Sequence, residues 1–428
     1  MTGNLFLKNA LITDPKTQYS KLGNMLIVDG KIIDFGPDIS NSDKITEINC
    51  DGKLLIPGIV DIQVHFRDPG VTHKEDIVTG SASAAAGGVT SVVCQPNTNP
   101  VIDNDLVIDY INLKAKAEAK CNIFFYGAVT IGMKGEELAN MGLMKEKGAV
   151  GFTDDGLPVA NSYLLRRAFE YAKTYNTTIA QHAEDLSLTN GGAINEGEVS
   201  QQLGIAGICN ASESAIVARD IEILRETGSK YHVLHVSTKE SMELIIKAKK
   251  DGLNITCEVS PHHFSLTDAA VIDHAANAKM NPPLRSEEDR DFLIQAIKDG
   301  YVDAIATDHA PHEASSKELP IEQAPFGIVG LETMLPLSLE LVNKHGMDLN
   351  HVLGLITFQA SEILGLDKGV IAKGADADLA LIDLEHKWVI DKNNFHSKSN
   401  NTPFHGREVK GKNILTILAG NIVFDESE

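Results

Sequence analysis

His65 with Arg67, Asn97, Asp155, His182, His235, the pair His262-His263, and Asp308 with His312 are the residues whose types and spacing could do chemistry in this chain. Each stands at or near the end of an apolar, β-rich run. Imidazole nitrogen and carboxylate oxygen are the donor set of borderline divalent metals such as zinc, and one carboxylate can bridge two ions while the other ligands come from elsewhere. Taken singly, each residue has a plain structural reading: a lone histidine on an apolar run is usually a satisfied core side chain, and Asp154-Asp155-Gly156 reads as a turn. Three histidines and two aspartates closing five different runs are not five separate accidents, so a metal site is expected from the group. Nucleophilic catalysis is the competing chemistry. No Gly-x-Ser-x-Gly elbow and no Cys-His pairing at the end of a run is present, and Cys94 lies inside a run.

The runs that must position these residues are Leu54–His65, Thr90–Asn97, Asn122–Val129, Ala149–Asp155, Thr178–Glu184, Tyr231–Ser237, Asn254–His262 and Val302–Asp308. Helical patterns separate them, among them Leu106–Ala119, Ser162–Tyr175, Ser212–Thr227, Lys239–Asp251 and Glu287–Asp299. Alternation of this kind builds a parallel sheet, and eight strand-then-helix units match an α/β fold of the (β/α)8 TIM-barrel type, whose active sites form where the strand C-termini converge. A doubly wound open sheet is the alternative, but it calls for a Gly-rich turn after the first strand, and Pro69-Gly70 is not one. The two chain ends have another texture. Short β runs at Leu5–Thr13, Asn24–Val28 and Ile32–Phe35, with Asp29-Gly30 and Asp51-Gly52 as hairpin signals, are matched by Asp378–Leu384, Trp388–Ile390 and Ile414–Phe424. We expect residues 1–56 and 366–428 to form one small β-sandwich domain beside a barrel of residues 57–365.

The composition limits the partners. The chain has 428 residues, 38 Lys and Arg against 59 Asp and Glu, and a formal charge of −21. Such a balance, with no basic run, argues against nucleic acid and anionic lipid. No apolar stretch approaches the roughly 18 residues of a membrane span, and Met1 to Lys16 lacks the layout of a signal peptide, so a soluble cytoplasmic protein is expected. Five cysteines without a CxxC pair fit buried thiols in a reducing compartment.

Several stretches carry a resemblance: Pro57-Gly-Ile-Val-Asp-Ile-Gln-Val-His-Phe-Arg-Asp-Pro-Gly70, Gly87-Gly-Val-Thr90 with Pro96-Asn-Thr-Asn-Pro100, Gly151-Phe-Thr-Asp-Asp-Gly156, Met280-Asn-Pro-Pro-Leu-Arg285, Thr307-Asp-His-Ala-Pro-His312 and Gly374-Ala-Asp-Ala-Asp-Leu379. Nearly the whole chain thereby resembles the cyclic amidohydrolases of the amidohydrolase superfamily, most closely the dihydroorotases. The resemblance implies zinc, one or two ions per chain, held by His65, Asp155, His182, His235 and Asp308. It also implies a substrate carboxylate held by Arg67, Asn97 and His312, with Asn281 on the ring and Asp308 as general base and then general acid. Hydantoinases and dihydropyrimidinases of the superfamily bridge their metals with a carbamylated lysine at the end of strand four, where this chain has Asp155. Those enzymes act on neutral rings, whereas the forked guanidinium of Arg67 suits a carboxylate. The activity implied is the reversible cyclisation of N-carbamoyl-L-aspartate to L-dihydroorotate in pyrimidine biosynthesis, by a homodimer.

One position departs from the pattern. The family's first strand ends His-x-His, and here it reads Gln63-Val64-His65. A neutral amide oxygen is a weak donor for zinc, so one metal position is short of a strong ligand. It could bind more weakly, or be empty while one ion at Asp155, His182 and His235 suffices. A third outcome is a catalytically silent chain that scaffolds a pathway enzyme such as aspartate transcarbamoylase. Allantoinase or dihydropyrimidinase activity is the neighbouring alternative. Residues 312–327, with Ser315-Ser316-Lys317 and Pro325-Phe326-Gly327, read as a loop at the barrel mouth that could cover the substrate.

Overall fold

In a computed structural model that describes residues 3–41 and 45–426, the central strands are β1 Ile59–Val64, β2 Val89–Cys94, β3 Asn122–Gly127, β4 Gly151–Phe152, β5 Thr178–Gln181, β6 Lys230–Val233, β7 Ile255–Val259 and β8 Ala304–Ile305. All neighbours pair in parallel and in chain order from β1 to β8. The ring closes where Val64 bridges to His309 and the His65 N–H donates to the His309 carbonyl at 2.9 Å. Asp61 reinforces that seam: its carboxylate accepts from the Thr307 N–H at 3.1 Å and from the Thr307 hydroxyl. The expected (β/α)8 barrel is therefore present. Its interior is filled by Val60, Ile62, Val93, Tyr126, Ala180, Leu234, Ala304 and Ala306, and the helix Phe358–Leu364 packs against it with Ala360 and Leu364.

The crossover helices begin where capping side chains occur. Asn104 accepts from the N–H groups of Leu106 and Val107, Asp76 and Thr79 form a reciprocal capping box, and Asn161, Thr238 and Ser286 cap three others. Each such cap is worth about 1 kcal/mol. Helices Asp105–Glu118, Ser162–Thr174, Ala211–Thr227, Lys239–Lys250 and Glu287–Lys298 match the expected bounds to within a residue.

The terminal strands form a separate eight-stranded sheet around an apolar cluster of its own, including Leu7, Ile12, Met25, Ile27, Leu55, Leu379, Leu381 and Ile417. Asp29-Gly30 makes the expected hairpin, both residues at positive φ between Val28 and Lys31. Asp51-Gly52 does not: Thr46–Asn49 and Leu54–Pro57 both run parallel to Leu5–Asp14, so this turn is a jog along one edge. The run Leu54–His65 is also two strands. Leu54–Pro57 belongs to the terminal sheet and β1 to the barrel, with the break at Gly58. A Cβ on Gly58 would lie 2.0 Å from the Thr90 hydroxyl oxygen, so only glycine lets the chain pass between the sheets there.

Candidate metal and substrate site

The barrel strands are shorter than the apolar runs because the chain leaves the β conformation where the polar residues begin. Arg67, His235 and Asp308 have φ of 58°, 33° and 48°, a region that few non-glycine residues occupy. These turns, just beyond β1, β6 and β8, gather the side chains at one end of the barrel.

Two groups of ligand atoms result, Asp155 with His182 and His235, and His65 with Asp155 and Asp308, the atoms of each within 4.8 Å of one another. Asp155 is common to both. Its Oδ1 lies 3.3 Å from His182 Nδ1 and 3.3 Å from His235 Nε2, and its Oδ2 lies 3.4 Å from His65 Nε2, which is 3.0 Å from Asp308 Oδ1. All five residues are buried. Burial alone would raise the Asp155 carboxyl, yet hydrogen bonds from His182 and His235 and the charge of His65 hold it well below the usual range. Burial likewise opposes a charge on His182, but Asp155 and Glu184 raise it to about 10. The pocket thus favours positive charge between carboxylates, which a divalent ion supplies as well as a proton does.

The imidazoles are oriented from behind. The Asn97 side-chain carbonyl accepts from His65 Nδ1 at 2.9 Å, so the His65 Nε2 lone pair faces the two aspartates. His182 Nε2 donates to Glu184 Oε2 at 3.0 Å, which frees its Nδ1 lone pair towards Asp155 and His235. Glu184 is held in turn by Asn281 Nδ2 at 3.0 Å and by the Thr189 hydroxyl at 2.6 Å. Such outer partners fix the tautomer of metal-binding histidines. Gln63 is fully buried, and neither atom of its amide has a hydrogen-bond partner among the described residues. The amide stands two residues before His65 in the chain, and an amide oxygen is a weaker donor for zinc than an imidazole nitrogen.

Arg67 and His312 meet at one side of the site, Arg67 Nη2 lying 3.5 Å from His312 Nε2. The charges of Asp308 and Asp155 act on the Arg67 guanidinium, although burial, the larger effect, lowers it to about 10. The Arg67 Nε has no partner among the described residues. His262 and His263 join neither ligand group: they lie in the short helix Pro261–Ser265, where His263 Nε2 donates to the Pro282 carbonyl at 3.0 Å.

Residues 312–327 are more than a surface loop. They contain the helix Ala314–Lys317, and the buried Lys317 ammonium donates to the carbonyls of Pro325 and Gly327, both at 2.9 Å. Lys279 reaches the carbonyls of Ile321 at 2.6 Å and Ala324 at 2.7 Å. Asn401, on the segment between the terminal strands Leu379–Val389 and Glu408–Leu418, accepts from the His312 N–H at 3.0 Å and donates to the carbonyls of Ala310 and Gly327. Glu184 and Asn401 are the contributors that sequence reasoning missed; only Glu184, two residues past a ligand histidine, carried a signal by its place.

The family description "Dihydro-orotase-like" matches residues 52–241. Proteins named dihydroorotase from Wolbachia sp. subsp. Drosophila simulans (strain wRi) and Anaplasma phagocytophilum (strain HZ) are 51% and 52% identical over 420 and 422 residues. These alignments cover 98% and 97% of this chain and 95% and 94% of those proteins. The chain belongs to the dihydroorotase family. A Geobacter sp. (strain M21) dihydroorotase is 46% identical over 98% of the chain and 99% of its own length. Among solved structures, an L-hydantoinase (dihydropyrimidinase) from Arthrobacter aurescens superposes with a TM-score of 0.90 at 26% identity, covering 100% of this chain and 97% of that one. The barrel and terminal sheet are thus common to cyclic amidohydrolases, and the choice of substrate falls to the side chains at the mouth.

Proposed function

We propose that the chain is a dihydroorotase that interconverts N-carbamoyl-L-aspartate and L-dihydroorotate, with water released on ring closure, in pyrimidine biosynthesis. The observation that carries this reading is the Arg67–His312 pair beside the aspartate-bridged ligand groups: a carboxylate receptor next to a metal centre. Zinc is the ion we assign from the imidazole and carboxylate donors, held firmly by Asp155, His182 and His235 and less firmly by His65, Asp155 and Asp308. When bound, it lowers the pKa of a water and polarises the ring carbonyl.

The chain's own residues do the rest. In ring opening, Asp308 takes the proton of the attacking water as the new C–O bond forms, and delivers it to the ring nitrogen as the C–N bond breaks; closure is the reverse. His65 Nε2 lies 3.0 Å from Asp308 Oδ1, so these two donors face one position, and Asn97 sets the orientation of the imidazole from behind. Arg67, His312 and the Asn97 amide receive the substrate carboxylate, and Asn281, fixed by Glu184, faces the ring. Asn97 bonds the ligand His65 at 2.9 Å and the charges of Asp308 and Asp155 act on Arg67, which supports one small anion engaging both groups, while burial of the ligands limits bulk water at the reacting carbonyl. Homodimer assembly and contact with aspartate transcarbamoylase belong to the same reading and rest on the family alone.

The silent-scaffold alternative is not favoured, since the ligand groups and the receptor are assembled together. The decisive assay is ring opening of L-dihydroorotate by metal-replete protein, followed by loss of ring absorbance. Turnover that Asp308→Ala lowers by about 10² or more is expected. Activity no higher than background, or faster turnover of the uncharged hydantoin and dihydrouracil rings, would reject the assignment.

A further inference from the structure

We propose that Lys74 is a positioning residue: it fixes the tautomer of His312, so that His312 and Arg67 present paired N–H donors to the substrate's carboxylate. This rests on the reading of Arg67 and His312 given above and deepens it. Lys74 lies in the loop between Arg67 and the helix Ile77–Ala86, and it is not a free surface lysine. Its N–H donates to the Val71 carbonyl at 3.0 Å and its carbonyl accepts from the Ser399 hydroxyl at 2.6 Å. The next residue, Glu75, is fully buried and bonded to Thr79 and Ser397. The half-buried Lys74 ammonium is thereby aimed at the barrel mouth, where its Nζ stands 3.3 Å from His312 Nδ1. No carboxylate lies within ion-pair distance of it among the described residues.

An ammonium has donors and no acceptor. A guanidinium is likewise donor-only, and a neutral imidazole has one ring lone pair to offer; Lys74 Nζ stands nearer its nitrogen, at 3.3 Å against 3.5 Å for Arg67 Nη2, so the lone pair is assigned to Nδ1 and the hydrogen to Nε2. The opposite tautomer would set an N–H against an ammonium. Nε2–H then points towards Arg67 Nη2 at 3.5 Å, so that two donors face each other without an acceptor between them. Nε and Nη2 form one edge of a guanidinium, and the Arg67 Nε is also unpartnered among the described residues. Three N–H groups thus converge, and a carboxylate supplies two oxygens for them. Burial and the neighbouring cations Arg67, Lys74 and Lys317 hold the His312 imidazole down to about 2, so it acts as a neutral donor through the physiological range. Glu313 faces the same group, as a charge acting on Lys74 and not as a contact. In a chain with a charge of −21, such local arrangements must recruit an anion.

The test reads the tautomer directly, in metal-replete protein labelled with ¹⁵N-histidine, the His312 signals being assigned by their loss in His312→Gln. In the parent without substrate, Nδ1 should appear unprotonated and Nε2 protonated from pH 6 to 8. In Lys74→Met the two tautomers should mix and the KM for dihydroorotate should rise about tenfold, the effect of one charge-assisted contact, with kcat changing much less. Lys74→Arg, which keeps a donor-only cation, should restore both the spectrum and KM. Hydrogen on Nδ1 in the parent, or a tautomer and KM unmoved in Lys74→Met, would overturn the proposal. Because the spectrum needs no turnover, its failure is distinct from failure of the functional reading, which would appear as a parent that does not open dihydroorotate.

Discussion

Gln63 is the position where structure and chemistry can be set against each other most sharply. Its side chain is fully buried, and neither Oε1 nor Nε2 has a protein partner among the described residues. A buried polar group without a partner costs about 1–3 kcal/mol, so the two atoms together destabilise the metal-free protein by about 2–6 kcal/mol, less whatever local relaxation recovers. Gln63→Met removes both groups at nearly constant volume. In chelator-treated protein it should shift the denaturation midpoint upward, by an amount corresponding to about 2 kcal/mol or more. With the ion present the gain should shrink, because the parent's amide oxygen then has a cation to face. Gln63→His should do the opposite for affinity, giving the His65, Asp155 and Asp308 group a strong donor and raising the tightly held ions from one towards two per chain. Unfolding is best followed by far-ultraviolet circular dichroism. The only tryptophan, Trp388, lies in the terminal sheet, and its fluorescence would report on that sheet and not on the barrel. Elemental analysis after dialysis against chelator gives the ion count. A chelator-treated Gln63→Met that unfolds earlier than the parent would refute the orphaned-amide argument, and two full equivalents retained by the parent would refute the weak second site.

Two further substitutions probe the supports of the site. Glu184→Gln puts an amide where His182 Nε2–H and the Asn281 amide now find a carboxylate, and metal affinity measured by competition with a chromophoric chelator should fall by about 10–100-fold, with activity recovering at excess metal. Asn401→Ala strips partners from the His312 N–H and from the carbonyls of Ala310 and Gly327. It should cost about 1–3 kcal/mol in denaturant unfolding and raise KM more than it lowers kcat, whereas an unchanged KM would show that His312 does not depend on the terminal segment.

The catalytic end of the barrel was legible in the sequence because it is built by periodic elements. An apolar β run followed by a polar residue marks a strand C-terminus, and the convergence of His65, Asp155, His182, His235 and Asp308 follows once eight such runs close on each other. The length of the strands was not legible. The run Ala149–Asp155 yields only Gly151–Phe152, and Val302–Asp308 only Ala304–Ile305, because side-chain apolarity records burial while strand pairing depends on backbone direction, which turns at His235 and Asp308. His262 and His263 illustrate the converse. They have the position and type of ligands, yet a proline at the first turn starts a helix there, and the backbone carries both away from the ligand groups. The supports were invisible for a simpler reason. Lys74 and Asn401 lie in segments without periodicity, and their roles arise from contacts 238 and 89 residues away along the chain.

Those long contacts give the terminal sheet a part in the chemistry. The segment between its strands Leu379–Val389 and Glu408–Leu418 leaves the sheet and crosses to the barrel mouth, where it meets the loops after both β1 and β8. On the β1 side, Ser397 bonds the buried Glu75, Lys398 donates to the Thr72 carbonyl at 2.7 Å, and Ser399 holds the Lys74 carbonyl. On the β8 side, Asn401 holds the His312 N–H and the Val329 N–H donates to the Asn401 carbonyl at 3.0 Å. One stretch of five residues therefore sets the spacing between the loop that carries Arg67 and Lys74 and the loop that carries His312. A carboxylate receptor made of N–H groups from two loops works only if that spacing is kept to within a few tenths of an ångström, since hydrogen bonds weaken steeply with distance and angle. Barrel strands alone cannot ensure this, because each loop departs from its strand at a residue with positive φ and could swing independently. The two chain ends, folded into one sheet against the barrel, supply the strut that ties the loops together.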